Sequence, residues 1–147
     1  MAAIRTVGEL LKFQTLRTIR PEHTIEMCST FMLSNDIARL PVVDEDGSLS
    51  GVISERDIRI ALSIPYVHPT YLRQPKYIEK AQSIKVEDAM TPRPQVVSLE
   101  ANSTIKEAIH LMNLRNIRGL PILEKSNVIG MLTHQNLLEH MLVLLSE

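Results

Sequence analysis

Ser54 and Asp57, in the stretch SERD, form the pattern of this sequence best suited to bind a polar ligand. The same spacing is typical of a helix start, where a serine oxygen accepts a backbone N–H and an acid suits the positive helix end. A carboxylate can also accept hydrogen bonds from two neighbouring hydroxyl groups, so Asp57 could hold both hydroxyls of a ribose. Taken locally, the residues favour capping, and capping by Ser54 is compatible with ligand binding.

Three arginines near this pattern or near its later copy could bind a phosphate: Arg39, Arg56 and Arg118. A planar guanidinium meets phosphate oxygens in pairs, which suits arginine to this task. For each arginine taken singly, a solvated surface charge is at least as good an interpretation.

An internal repeat provides the elements that must position these residues. The stretch RLPVVDEDGSLSGVISERD at 39–57 returns in weaker form as GLPILEKSNVIGMLTHQN at 119–136, with one residue fewer in its turn. Ser54 then aligns with Thr133 and Asp57 with Asn136. Many further apolar positions match in register, so we expect two copies of one structural unit.

Each copy predicts the order strand, helix, strand, strand, helix. Thr24 and Thr104 begin the first helices, and Glu107 completes a capping box in the second copy. The remaining elements of the first copy are a strand at 40–43, an acidic turn at 44–48 with Gly47 at positive φ, a strand at 49–54 and a helix from Ser54. Short leading strands are expected near 15–19 and 95–99. The expected class is α+β, with two pseudo-symmetric repeats packed sheet to sheet.

Residues 63–85 separate the copies and contain three prolines and all three tyrosines of the chain. The expected organisation is therefore a first repeat at 7–62, a linker at 63–85 and a second repeat at 86–145. A proline-stiffened strap on the surface is the favoured interpretation of the linker, and a ligand-gating flap or a partner contact is the alternative.

Composition excludes several classes of protein. A net charge of −1 and only 3% aromatic residues do not fit a nucleic-acid-binding surface. The single cysteine, Cys28, lies among apolar residues and is expected to be buried. The five histidines show no paired metal-ligand spacing, and no P-loop, G-x-S-x-G or G-x-G-x-x-G motif is present. Because these motifs are absent, the protein is not expected to be an enzyme. The sequence also contains no signal-peptide pattern and no apolar run of membrane-spanning length, so a cytoplasmic location is expected.

The two repeated stretches, together with VEDAMTPRPQVVSLEANSTIKEAI at 86–109, resemble the CBS domain, named for cystathionine β-synthase, present here as a tandem pair. The resemblance covers the chain from about Val7 to Leu142. It implies a regulatory module with two clefts between the repeats, which in many members bind adenosine-containing ligands. The expected ligand is AMP, ADP or ATP, and S-adenosylmethionine is not excluded. The expected role is to sense adenine nucleotides, as in energy sensing, and to signal to a partner through changed packing.

The resemblance also implies site residues. Asp57 would hold the ribose, Ser54 would lie near the phosphate, and Arg39 and Arg118 would occupy phosphate-binding positions. Adenine would contact four residues that are equally good core residues: Val52, Ile53, Thr91 and Val96.

In the second copy, Thr133 keeps the hydroxyl, but Asn136 lacks the charge of Asp57 and accepts only one hydroxyl through its oxygen. Gly119 also replaces Arg39, so the second cleft is expected to be weaker or empty. His134 could reach a phosphate, although an exposed histidine at a helix start is the simpler interpretation. A ligand-free interaction scaffold with vestigial clefts is the rival function, and a hydrolase or transferase is a distant third.

A homodimer is expected because the closing helix and the first helix of each repeat have apolar stripes that one small module would not cover. The residues of these stripes are Leu137, Leu138, Met141, Leu142 and Leu145 on the closing helix, and Phe31, Met32, Leu111 and Met112 on the first helices of the repeats. The alternative is that the stripes are wholly internal, with the closing helix folded back on its own sheet.

Overall fold

The computed structural model describes residues 3–62 and 75–146. Its helices are α1 (Val7–Leu10), α2 (Ile25–Asn35), α3 (Glu55–Ala61), α4 (Pro75–Ser83), α5 (Val86–Ala89), α6 (Ile105–Arg115) and α7 (His134–Leu145). Its strands are β1 (Arg39–Val43), β2 (Leu49–Ser54), β3 (Thr91–Pro92), β4 (Leu99–Glu100), β5 (Gly119–Glu124) and β6 (Asn127–Thr133). Helices and strands occur together in each repeat, which confirms the predicted α+β class.

The chain divides into two compact units. The first unit is Thr18–Val96, and the second unit combines the residues up to Arg17 with those from Val97 onwards. Each unit has one three-stranded sheet, β1-β2-β3 in the first and β4-β5-β6 in the second. Helices pack on one face of each sheet and bury a separate apolar core.

The segment at the start of each repeat belongs to the compact unit that contains most of the other repeat. In the first unit, the Val86 N–H donates to the carbonyl of His23 at 2.7 Å and the Ile25 N–H donates to Ile84 at 3.0 Å. In the second unit, the Val7 N–H donates to the carbonyl of Ser103 at 2.9 Å. Division by packing therefore differs from division by repeat, because each core is closed by chain that belongs to the opposite repeat in sequence.

The two hairpin turns explain the missing residue of the second copy. In the first copy, the turn of residues 44–48 closes with the Gly47 N–H donating to Asp44 at 3.0 Å, and Gly47 has a φ of 87°, as predicted. In the second copy, Lys125 and Ser126 form a two-residue loop with φ values of 51° and 73°. Positive φ at both central residues is the geometry of a type I′ turn, which matches the twist of the flanking strands.

Four helices begin at the predicted residues. Thr24 and Thr104 cap α2 and α6, and Glu107 completes a capping box in α6. Ser54 and Thr133 likewise precede α3 and α7. The second leading strand was predicted near 95–99, but the observed strand β4 is Leu99–Glu100 because residues 93–95 form a 3₁₀ turn.

The linker prediction can be followed over part of its length. Residues 63–74 lie outside the described part of the chain. The rest of the linker contains α4, which the composition did not predict, and Ala81 and Ile84 pack against the core of the first unit. Within the described residues, 3–62 and 75–146, no helix is long and apolar enough to cross a membrane.

The exchanged leading segment makes a direct prediction. Leu11 lies near the start of the first repeat in sequence but is only 4% exposed in the core of the second unit. We expect Leu11→Ala to lower the free energy of unfolding by about 2–5 kcal/mol. Hydrogen exchange should show the lost protection in β5, β6 and α6. Phe13→Ala is the matched control because Phe13 is 93% exposed. Loss of hydrogen-exchange protection confined to β1 and β2 would contradict the placement of Leu11 in the core of the second unit.

Cys28 gives a second prediction. Its side chain is fully buried, as expected, and burial raises the pKa of the thiol to about 11 from 9.0. The folded thiol should therefore resist a thiol-specific reagent at neutral pH and react once the chain is unfolded in urea. Because the folded state holds this proton more tightly, its stabilising effect is complete below the unfolded pKa and is lost as pH rises through about 11. Rapid labelling of native protein at neutral pH would contradict the burial.

Candidate ligand-binding site

The predicted ligand-binding residues of the first copy meet at the end of β2 and the start of α3. Along β2, burial alternates: Leu49, Gly51 and Ile53 are buried, whereas Val52 and Ser54 are only partly buried. This alternation follows from the two-residue period of a strand, in which successive side chains point to opposite faces. One face of β2 therefore packs on the helices and the other carries the candidate site.

Strand register brings the remaining candidates to the same face. Arg39 is paired with Ser54, and Val52 is paired with both Pro41 on β1 and Thr91 on β3. Residues directly opposite each other in antiparallel strands share a face of the sheet. Arg39, Val52, Ser54 and Thr91 are thus neighbours on one surface of the first unit, although Thr91 is at least 37 residues (91 − 54) away in sequence from the others.

Two of the residues expected to contact adenine, Ile53 and Val96, do not lie beside Val52 and Thr91 on the site face of β2. The Ile53 side chain is 0% exposed and belongs to the core of the first unit, so a ligand could reach only its backbone. Val96 is partly buried and follows the 3₁₀ turn, where its N–H donates to Arg93 at 3.0 Å. Val52 and Ile53 are both β-branched apolar residues, which suit a buried strand position and an apolar ligand contact equally well, so sequence alone could not distinguish their positions.

Asp57 closes a capping box at the start of α3. Its Oδ2 accepts the Ser54 backbone N–H at 2.8 Å and the Ser54 hydroxyl at 3.0 Å, while its own N–H donates to Ser54 Oγ at 3.2 Å. The helix-capping interpretation is therefore correct for one carboxylate oxygen. The second oxygen, Oδ1, accepts no hydrogen bond from the described residues, so a charged acceptor remains on a partly buried side chain.

The arginines differ in their placement. Arg39 is partly buried at the start of β1, directly opposite Ser54. Arg56 is exposed in the first turn of α3, and Arg118 is exposed before β5 in the second unit. Among the described residues none of the three forms an ion pair. The geometry brings Arg39 and Arg56 to the Asp57 site and leaves Arg118 with the other copy.

The corresponding position of the second unit repeats the cap with different chemistry. Asn136 Oδ1 accepts the Thr133 backbone N–H at 2.8 Å and the Thr133 hydroxyl at 2.9 Å. This is the oxygen that could accept one ligand hydroxyl, and it already accepts both donors of the cap; a second cleft that is weaker or empty stays a prediction. His134 is exposed, in agreement with the simpler interpretation.

The sequence did not predict two residues that join the sheets to segments distant along the chain. A Cβ on Gly51 would meet the backbone oxygen of Thr91, so only glycine lets β3 approach β2 here. In the second unit, the Gln14 amide accepts the Met131 N–H at 2.9 Å and donates to the Met131 carbonyl at 3.0 Å. Gln14 thereby pairs with the edge of β6 as a strand would. No local pattern signals either contact, because each joins segments that are distant in sequence.

Comparison with known proteins identifies the family. A CBS domain profile matches residues 7–64 and 86–143. A CBS domain-containing protein of Dictyostelium discoideum is 36% identical over 137 residues, which cover 92% of this chain and 91% of that protein.

Solved structures share the fold. The CBS-pair protein CBSX2 from Arabidopsis thaliana has a TM-score of 0.83 at 24% identity, with 99% of each chain covered. A crystal structure of CBSX2 in complex with AMP has a TM-score of 0.74 at 26% identity, covering 95% of this chain and 97% of that one. The chain therefore belongs to the CBS domain family and contains two CBS domains in tandem.

Proposed function

We propose that this CBS pair is a regulatory module that binds an adenine nucleotide, AMP, ADP or ATP, at the site around Asp57. The observation that carries the proposal is the unoccupied acceptor: the cap uses Asp57 Oδ2, and Oδ1 remains available to a ligand hydroxyl. The AMP complex of CBSX2, a structural neighbour, supports an adenosine ligand.

Each candidate residue has a role that suits its position. Asp57 Oδ1 accepts hydrogen bonds from ribose hydroxyls. Arg39, opposite Ser54, and Arg56, beside Asp57, pair with phosphate oxygens. Val52 and Thr91, paired across β2 and β3, offer apolar and backbone contacts to adenine. Binding would order these elements together, and a partner protein would respond to the change. A regulatory, non-catalytic role in the cytoplasm remains part of the proposal.

The ribose assignment can be tested without disturbing the fold. Asp57→Asn should keep the capping box, because Asn136 makes the same hydrogen bonds in the second copy. It removes the charged acceptor, so AMP affinity measured by calorimetry should fall roughly 10- to 100-fold. The melting temperature without ligand should change little.

Asp57→Ala is the matched comparison. It removes the cap together with the acceptor, so affinity should fall and stability should drop by about 1 kcal/mol. Wild-type affinity in Asp57→Asn would contradict the ribose role. If wild-type protein bound none of AMP, ADP, ATP or S-adenosylmethionine at millimolar concentration, the module would be an interaction scaffold instead.

The proposed function includes self-association, supported by a large exposed apolar surface on α7. None of the residues of α7 is buried, and Leu138, Leu142 and Leu145 are 57%, 60% and 74% exposed. Leu137 is different, because it packs on the core of the second unit. Single exposed apolar residues are normal on a protein surface, but several on one helix form a patch that is typical of an interaction site.

The stripe expected on the first helices needs correction. Met32 and Met112 are only 5% and 2% exposed and belong to the cores of their own units. Phe31 and Leu111 are partly buried against the same cores. These four residues pack in the cores and are not exposed on the helices. The apolar side chains that α2 and α6 do expose are chiefly Leu33 and Leu114, which are 85% and 69% exposed.

The first unit also has an apolar groove of about 520 Å³ between α2, α3 and α4. Met32, Ile58 and Leu62 contribute apolar side chains to its lining, and Leu33 and Ile78 are exposed residues of the same lining. We propose that a second copy of the chain covers this groove and the exposed surface of α7.

Light scattering tests the dimer. At micromolar concentration the mass should be that of two 16.6 kDa chains, and Leu142→Glu should shift it towards one chain because the charge would be buried at the interface. Phe13→Ser is the control, since this exposed residue lies outside α7 and the groove. A wild-type mass of one chain, unchanged by nucleotide, would refute the dimer.

A further inference from the structure

The groove between α2, α3 and α4 in the first unit has carboxylates near both of its ends. Glu26 lies in the first turn of α2, and Asp36 caps the C-terminus of that helix, about 15 Å away. Glu55 begins α3 and lies beside the Asp36 end, because its N–H donates to the Ala38 carbonyl at 2.9 Å. Among the described residues that line the groove, Arg59 is the only cation. All of these charged side chains are exposed, and within the described ranges none of them forms an ion pair.

The internal repeat has a matching surface on α6 and α7 of the second unit, and its charges have the opposite sign. Helix α6 follows α2 at an offset of 80 residues (104 − 24 at the caps), and α7 follows α3 at an offset of 79 (133 − 54). We name this surface the α6–α7 face. At the positions that correspond to the groove lining it has two cations and no carboxylate, and its polar residues are exposed. The counterparts of Glu26, Asp36, Ala38 and Glu55 are Lys106, Asn116, Arg118 and His134.

The α6–α7 face also exposes apolar side chains at two positions where the groove lining is polar. Ile109, which is 42% exposed, replaces Ser29, and Leu138, which is 57% exposed, replaces Arg59. Met141 adds a third apolar side chain on the same face and is 48% exposed. Apolar surface is therefore present on both the groove and the α6–α7 face. Burial of that surface favours covering each of them but does not determine which surface covers which.

Charge distinguishes the possible pairings. A groove placed on the groove of a second copy would bring the carboxylates of Glu26, Asp36 and Glu55 together with an identical set. An α6–α7 face placed on another such face would oppose its cations, Lys106 and Arg118, in the same way. Like charges that meet in an interface lose water without gaining a partner, whereas a groove placed on an α6–α7 face brings opposite charges together at both ends.

We infer that the dimer pairs the groove of one copy with the α6–α7 face of the other, so that the acidic helices of the first repeat lie against the basic helices of the second. Each chain has one groove and one such face, so a twofold axis forms the same contact twice. This inference rests on the self-association included in the proposed function, and it names the two surfaces that join. The charge difference between the repeats then selects the orientation of the partner.

Two charge-reversed proteins test this pairing. The groove-reversed variant carries Glu26→Lys and Glu55→Lys, and the face-reversed variant carries Lys106→Glu and Arg118→Glu. All four side chains are exposed, so both variants should fold. Each variant alone opposes like charges in both contacts, so analytical ultracentrifugation should show a dimer dissociation constant at least about 100-fold above that of the wild type. An equimolar mixture should regain the wild-type constant, since the reversed groove meets the reversed face and the other contact is wild type.

Glu45→Lys with Glu87→Lys is the matched control. It makes the same change of net charge as the groove-reversed variant, at exposed residues outside the groove lining, so dimerisation should be unchanged. Melting curves check that each variant is folded. The single changes Glu26→Lys and Lys106→Glu repeat the mixing experiment if a double variant fails to fold.

A folded face-reversed variant that dimerises as well as the wild type would overturn the inference, and a groove-reversed variant with tighter dimerisation would show groove-on-groove pairing instead. Two folded variants that stay monomeric when mixed would overturn it as well. In each of these cases a dimeric wild type leaves the proposed self-association standing. A wild-type mass of one chain would remove the self-association and this inference together, and the nucleotide proposal is tested independently because no nucleotide is present in these measurements.

Discussion

Each small sheet of this protein depends on a leading segment contributed by the opposite repeat. One repeat alone buries little apolar surface, and a domain of that size is marginal without further cover. Backbone hydrogen bonds join the extra segments to the repeats they complete, as in Val86 to His23 and Val7 to Ser103. Val7 and Val86 are 0% exposed, so the exchange also completes both cores. Neither repeat can therefore be treated as an independent sequence module.

The strand-to-helix turn at Ser54 and Asp57 serves folding and the proposed binding with different oxygens of one carboxylate. The cap satisfies backbone donors that a helix start leaves without partners. It also holds the side chain in one orientation, so the second oxygen is positioned before any ligand arrives. Such preorganisation reduces the entropy that binding would otherwise lose. A substitution by alanine mixes both effects, whereas asparagine separates them.

Both repeats keep the cap at the turn from strand to helix, although the residues that form it differ. Thr133 and Asn136 retain the cap of Ser54 and Asp57, and the hairpins differ only by the shorter turn at Lys125 and Ser126. What changes is the charge and the hydrogen-bonding character of the groups left over.

Sequence by itself determined the repeat, the helix starts at Thr24, Ser54, Thr104 and Thr133, and the hairpin with Gly47, because caps and turns depend on residues that are close along the chain. It also singled out Asp57. Tertiary structure decided which leading segment joins which sheet, that Ile53 faces the core, and that Gln14 pairs with Met131 across 117 residues. It also decided that the Asn136 oxygen belongs to the cap. These outcomes depend on strand pairing and on competition between partners for one atom, and neither is encoded in local spacing.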